Sequence, residues 1–459
     1  MHRKWLLLVV VILTMILAAA CGSSDNASPT TTTPSSNKDS EAPAGNNKEE
    51  EAALEIVTEP AELVFYYTSP ADWTEETFMR TFGNPIKEKY PHITPKFAQN
   101  QGSNTGTSLP ELITIGAQID VVFVSTGLMS RFTDVELQED ITPILTKFNF
   151  DDSHIAAPIM ETGRIIADGG LYGLPVYTVP ATMYYNKDIF DRFGVKYPSD
   201  GLTWDETYDL AVQLSRTDDQ VTYYGLRTSL GHFAHLNQFS LHMVEPDTNR
   251  ADFSSDKWGR FFNNIVRFYQ ISDAPVDRAG LNLHRQRDGF FAEQNVAMWL
   301  ALTNLHNEPE ITPDLNWDIA PFPTFPELGD VGPQPYPTYF NVSTTSEYKD
   351  QAVQAIMYLT SKEFQMQKSL SGELLTILDD PEVRAAFGQG DSIYKGKNVS
   401  ALVPKTYAVP GNITKYDSMV RSKLEVALFD VITGVTDVNT ALRTAQEEAN
   451  NEIEVDEKG

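Results

Sequence analysis

Residues 171–195 read LYGLPVYTVPATMYYNKDIFDRFGV. Two short runs of aromatic, β-branched and apolar residues flank Pro180, which has no N–H to lend to a central ladder, so the stretch predicts two strands broken at the proline. Asn186 then precedes Ile189, Phe190 and Phe193 at helical spacing, and Gly194 follows them. That order reads as an N-cap, one apolar helix face and a left-handed residue that closes the helix.

Upstream, ELVFYYTS (62–69) predicts a strand, and WTEETFMRTFGNPIKEKYP (73–91) a helix with Phe78, Phe82 and Ile86 spaced by fours. ITPKFAQ (93–99) and IDVVFVSTG (119–127) are further strands. The unbroken run Val121–Val124 suits a strand covered on both faces. Downstream, Thr203 and Glu206 form a capping box for a helix whose face carries Trp204, Tyr208, Ala211 and Leu214. The helix in KDQAVQAIMYLTS (349–361) buries Ala352, Ala355, Ile356 and Leu359, and Thr360 with Glu363 predicts another box. The chain ends in a helix with Val438, Leu442, Ala445, Ala449 and Ile453 in one stripe. Strands alternating with helices argue an α/β fold. In such sheets ligands sit beyond the carboxyl ends of the strands, here Thr68–Trp73 and Ser125–Gly127.

The amino-terminal end, MHRKWLLLVVVILTMILAAA, has a basic start, an apolar core over 5–17 and a small-residue end at Ala18–Ala20. It is the layout of a secretory signal. Cys21, the single cysteine of the 459 residues, stands directly after it and has no cysteine with which to form an internal disulfide. The stretch resembles a bacterial lipoprotein signal, which implies a diacylated Cys21 as new amino terminus and anchor. The segment 22–47 has alanine as its only aliphatic side chain, so it reads as a flexible tether. Lipid, tether and globule together place the expected protein on the outer face of the cell membrane.

With 63 acidic against 35 basic residues, the net charge is −28. Such a chain repels phosphate backbones, so no nucleic-acid partner is expected. Spread over a secreted surface, the acidity by itself implies no cationic ligand. A hydrophobic fraction of 41% gives the chain enough apolar surface for a large core, which at this length divides into two domains.

YGLPVYTVPATMYYNKDIFDRFGV, TWDETYDLAVQLS, FAEQNVAM, WDIAPFPTF and TDVNTALRTAQEEAN occur in the order seen in extracellular solute-binding proteins of ABC importers. Over residues 60 to 455 the chain resembles this maltose-binding-like family. The resemblance implies a two-lobed periplasmic-binding-protein-like (type II) α/β fold, with a hinge of three chain crossings and an interlobe cleft. The crossings are expected near Ala181–Met183, Trp317 and Leu374, with Pro180 stiffening entry to the first. The expected divisions are a signal over 1–20, the lipidated cysteine and tether over 21–58, a first lobe of 59–182 with 318–374, and a second of 183–317 with 375–456. The family reading implies a monomer that captures a sugar or oligosaccharide by hinge closure and delivers it to a permease driven by an ATPase. The same fold binding a polyamine or other small polar solute, or serving as a ligand sensor, is the alternative.

No HExxH, GxSxG or phosphate loop occurs in the sequence. A secreted hydrolase is therefore disfavoured, and no enzyme activity, cofactor or metal is expected. His232, His235 and His242, at spacings that can face one side of a helix, are the one histidine group that raises the question of a metal. Sugars are gripped by aromatic faces and by polar groups around their rims. The ligand candidates are accordingly Trp73 after the first strand, Ser125 after DVVFV, Tyr177 after GLP, Trp299 after VAM, and Tyr336 and Tyr339 in QPYPTYF. For each aromatic the competing role is core packing. Tyr184, Tyr185, Trp204 and Trp258 are expected in the core. After YYGLRTS the sequence departs from the family's glycine-rich pattern, and there His232 or His235 is expected to approach the cleft.

Overall fold

The computed structural model describes residues 57–458 apart from 71–72, 103, 272–275, 277, 282, 308–313 and 391. The expected signal, Cys21 and nearly all of the tether lie outside the described residues.

Among the described residues ten strands make two five-stranded sheets. The first contains β1 (Ala61–Tyr67), β2 (Ile93–Gln99), β3 (Val121–Ser125), β4 (Gly173–Thr178) and, from far along the chain, β10 (Pro337–Val342). Its order is β2-β1-β3-β10-β4, with β10 antiparallel to both of its neighbours. The second sheet contains β5 (Ala181–Asn186), β6 (Arg216–Asp218), β7 (Val221–Thr228), β8 (Val296–Leu302) and β9 (Trp317–Ala320). Its order is β6-β7-β8-β5-β9.

Both sheets are covered on both faces, which is why their strands read as continuous apolar runs. In β3, Val121 and Phe123 join one core of the first lobe, whereas Val122 and Val124 join the other. In β5, Met183 and Tyr185 face one core of the second lobe and Tyr184 the other. Trp204 and Trp258 are buried in the second lobe, as expected. The helical stretch after Trp73 buries Phe78, Phe82 and Ile86 completely, with a π-helical turn over Met79–Gly83.

The local signals around 171–203 are realised. The Asn186 side chain accepts from the Asp188 and Ile189 amides, and Gly194 closes the helix at φ 66°. Thr203 and Glu206 bond reciprocally. The box expected at Thr360 does not form, and a simple cap stands one residue later. The Thr360 hydroxyl donates back to the Met357 carbonyl, so Ser361 caps the next helix, and Glu363 pairs with Lys89.

Three segments connect the sheets and meet. Between β4 and β5 lie only Val179 and Pro180. The Thr178 amide donates to the Leu375 carbonyl and the Val179 amide to the Tyr336 carbonyl, both at 3.1 Å. The return to the first lobe does not fall at Trp317, which sits inside β9, but between Ala320 and Pro337. The last crossing is gradual. Leu374 lies in a first-lobe core and Leu375 in a second-lobe core, yet Ile377, Leu378 and Val383 return to the first before Phe387 joins the second.

Candidate functional site

Parallel strands end their carboxyl edges together, so the loops after β1 and β3 in one lobe and after β7 in the other can share a cavity. They do. A cavity of about 730 Å³ is lined by Ser69 and Leu128 from the first lobe. From the second come Ser229 to His232 after β7, part of the segment 278–284, and one side of the helix Asp417–Ile432. Its volume is that of a small-molecule site, of roughly 300–1,000 Å³.

The second-lobe wall mixes apolar side chains with a group of polar ones. His232 Nδ1 lies 3.2 Å from the Ser229 hydroxyl, and His235 Nδ1 lies 4.0 Å from an Asp417 oxygen. Burial and the charge of Arg421 pull both imidazoles down to about 4, so they are neutral at physiological pH. Burial pushes Asp417 up to about 6, although the Thr414 hydroxyl and amide donate to it, and burial also raises Glu425. Arg421 is the cation common to all four groups. Glu425 lies over Gly231, where the absence of a Cβ gives its carboxylate room.

Residues 71–366 match the family described as bacterial extracellular solute-binding protein. The chain belongs to this family.

Among solved structures, the solute-binding fold recurs in an ABC substrate-binding protein from Listeria monocytogenes in complex with cycloalternan. That protein is 16% identical, with a TM-score of 0.70, over 86% of this chain and 99% of its own. A solute-binding protein from Agrobacterium vitis with bound D-mannitol is 17% identical, with a TM-score of 0.61, over 86% and 98%. A Streptomyces glaucescens receptor solved with acarbose is 14% identical, with a TM-score of 0.62, over 85% and 99%. Curated relatives in Brucella abortus and Brucella suis, named binding proteins, are 20% identical over 227 residues, 47% of this chain and 52% of theirs. The chain thus spans about half the length of the curated relatives it matches.

In this solute-binding protein the six ligand candidates separate. Trp73 is 8% exposed and packs against Phe82, Phe123 and Tyr177, with ring centroids 5.0 to 6.2 Å away. Tyr177, half-buried, completes that aromatic group by stacking on Phe82. Trp299 and Tyr339 are each 1% exposed. Trp299 is wedged among Phe290, Phe291 and Tyr184, and the Tyr339 hydroxyl donates to the Ile159 carbonyl. Both serve cores, because the helices Leu283–Phe291 and Ala157–Ile166 cover the faces they occupy. Ser125 and Tyr336 are brought together, with their oxygens 3.3 Å apart. The Tyr336 ring also meets His235, centroid to centroid at 6.4 Å, so this pair stands behind the cavity wall.

Of the histidine group, His232 lines the cavity, His235 lies one turn on, and His242 accepts from the Asn412 amide. Arg421, Glu425 and Arg278, which also line the cavity, were not among the candidates. Arg421 and Glu425 lie on a helix about 200 residues beyond β7, and no local spacing ties them to it. The nearest signal was the departure from the family pattern at LGHFAH, which marked the wall they pack beside.

Proposed function

We propose that the chain is the lipid-anchored, extracytoplasmic capture component of an ABC importer. It closes its two lobes on a sugar or oligosaccharide and presents the closed form to a membrane permease powered by an ATPase. The observation that carries this reading is the cavity walled by both lobes at the carboxyl ends of their strands. Only a ligand that touches both walls can favour closure over opening. The three solved relatives above supply the solute class, since each was solved with a saccharide or sugar alcohol. For a polyamine the local hint in the sequence is Trp73 with Glu75 and Glu76 close by. With its indole packed among Phe82, Phe123 and Tyr177, Trp73 offers that ligand little aromatic face.

The anchor belongs to the proposal as well: Cys21 carries two acyl chains, and the tether keeps the globule near its permease. One chain alone binds a membrane only marginally, whereas two hold it. Thermal unfolding against a panel of mono- and oligosaccharides and polyamines tests the capture role. A true ligand at about a hundredfold excess over its Kd adds roughly 2.7 kcal/mol of stability. A shift with polyamines alone overturns the sugar, and no shift with any solute overturns capture. Retention of a Cys21→Ala protein in the membrane fraction overturns the anchor.

A further inference from the structure

The charge of the cleft runs against that of the chain. In a protein with 63 acidic and 35 basic residues, the cavity presents Arg278 and Arg421 against a single carboxylate, Glu425. Among the described residues Arg421 makes no ion pair and donates no side-chain hydrogen bond. Its acidic neighbours on the same helix act on it through space without an ion pair: Asp417 accepts from Thr414, and the Glu425 carboxylate lies over Gly231. His232 is neutral at physiological pH because burial and Arg421 depress it, so the arginines carry the positive charge.

The aromatic side of the argument points the same way. Phe429 is the one benzene ring among the described lining residues, and the Arg278 guanidinium sits 5.1 Å from its centroid. A neutral sugar held by ring faces finds that platform already covered by a cation. A guanidinium whose N–H groups make no hydrogen bond, in a cleft that excludes water on closure, instead favours an anion with two oxygens placed to accept paired N–H donors, as in a carboxylate or a sulfate.

We propose that the captured solute is an acidic saccharide, a sugar bearing a carboxylate or sulfate, whose anionic group is held by Arg421 and Arg278. The proposal rests on the reading of the cleft as a sugar site and narrows it. Glu425, with one face toward the same cavity, accepts hydroxyl donors from the ring.

The test is calorimetric titration of the purified protein with uronate oligosaccharides and sulfated saccharides, each beside its neutral counterpart, and with acetate and sulfate salts at equal ionic strength. An acidic saccharide is expected to bind at least about tenfold tighter than its neutral counterpart, and to weaken as salt rises from about 0.02 to 0.2 M. Arg421→Gln and, separately, the exposed Arg278→Gln are expected to remove most of that difference while leaving the unliganded melting temperature near its original value. Neutral sugars binding as tightly as acidic ones overturn the inference and leave the capture reading intact. Binding of simple anions without any saccharide overturns the sugar half of it. No binding of any saccharide overturns both readings. Variants that weaken neutral and acidic sugars equally overturn the arginine assignment.

Discussion

The phenolic oxygen of Tyr336 lies 3.3 Å from the hydroxyl of Ser125, at the end of β3. The same ring packs against the large second-lobe core and stands edge-on to His235. One side chain on a connecting segment is therefore fastened to both lobes. Its fit against the first lobe depends on Gly127, where a Cβ would meet the phenolic oxygen and lie 3.0 Å from Cε2.

Gly127→Ala is accordingly expected to destabilise the protein by about 1–3 kcal/mol, as overpacking does. Gly127 does not occupy the left-handed region, so the cost is steric and comes from Tyr336. Tyr336→Ala in the same background should then cost less than it does alone. A double-mutant cycle by urea unfolding measures this, and strict additivity of the two changes would remove the contact from the account.

A second connection is built on a buried ion pair of the first lobe. Lys368 Nζ is 2.9 Å from a Glu373 oxygen, both side chains are buried, and Arg80 pairs with the same carboxylate. The Asn304 side chain, beyond β8 in the other lobe, donates to the Glu373 carbonyl at 3.0 Å. Burial and the nearby Arg80 pull the Lys368 ammonium down to about 8. Glu373→Gln leaves two cations facing one another without their carboxylate, and a loss of about 3–5 kcal/mol is expected. Adding Lys368→Met should recover part of it. If the double variant is no more stable than Glu373→Gln alone, charge is not the cause.

The buried histidines set a pH dependence. His232 and His235 fall from 6.5 to about 4 on folding, so between those values the unfolded chain binds their protons and the folded chain does not. Stability contributed by this pair therefore rises as pH rises from about 4 to 6.5. Asp417 works the other way: its carboxyl moves from 3.8 up to about 6, and its contribution falls as pH rises through that window. Glu425, raised in the same way, works in the same direction as Asp417, so the histidine contribution is read from the difference between the native and variant chains. The groups facing the imidazoles are Arg421, Ser229, Asp417 and Tyr336. Urea unfolding from pH 4.5 to 7 should show a steeper rise for the native chain than for the His232→Gln/His235→Gln double variant. Parallel curves would refute the buried, neutral state of both rings.

What was legible in the sequence was what neighbouring residues decide. The cap at Asn186, the turn at Gly194, the box at Thr203 and the buried row Phe78, Phe82 and Ile86 each need only a few residues of context. Thr360 and Ser361 are adjacent hydroxyls that can each cap, serine somewhat the better, and the first turns back to Met357. The cleft was legible as a place, the carboxyl ends of the strands, but not as a set of side chains. Trp73, Trp299 and Tyr339 lie at strand ends or within strands, where either face can be wet or dry. The faces they occupy are closed by residues distant in sequence: Phe123 and Tyr177 at Trp73, Tyr184 at Trp299 and Ile159 at Tyr339. Arg421 and Glu425 reach β7's loop only because a helix near the end of the chain packs back across it.

That packing gives the cleft a separable point of attack at Gly231. A Cβ there would collide with the Glu425 carboxylate and lie 3.3 Å from Arg421 Cδ, and Gly231 itself is not in the left-handed region. The obstacle is the end of a flexible side chain, so Gly231→Ala is expected to change unfolding free energy by less than about 1 kcal/mol. The carboxylate must nevertheless move, and it can move only along the cavity wall toward Arg421 or into the cavity. Either displacement changes the group a solute would meet, so solute affinity is expected to fall at least about tenfold, equivalent to about 1.4 kcal/mol. Parallel urea unfolding and solute titration separate the two effects. A large stability loss would mean that backbone, not Glu425, fills the space above Gly231. Unchanged affinity would mean that the Glu425 carboxylate takes no part in holding the solute.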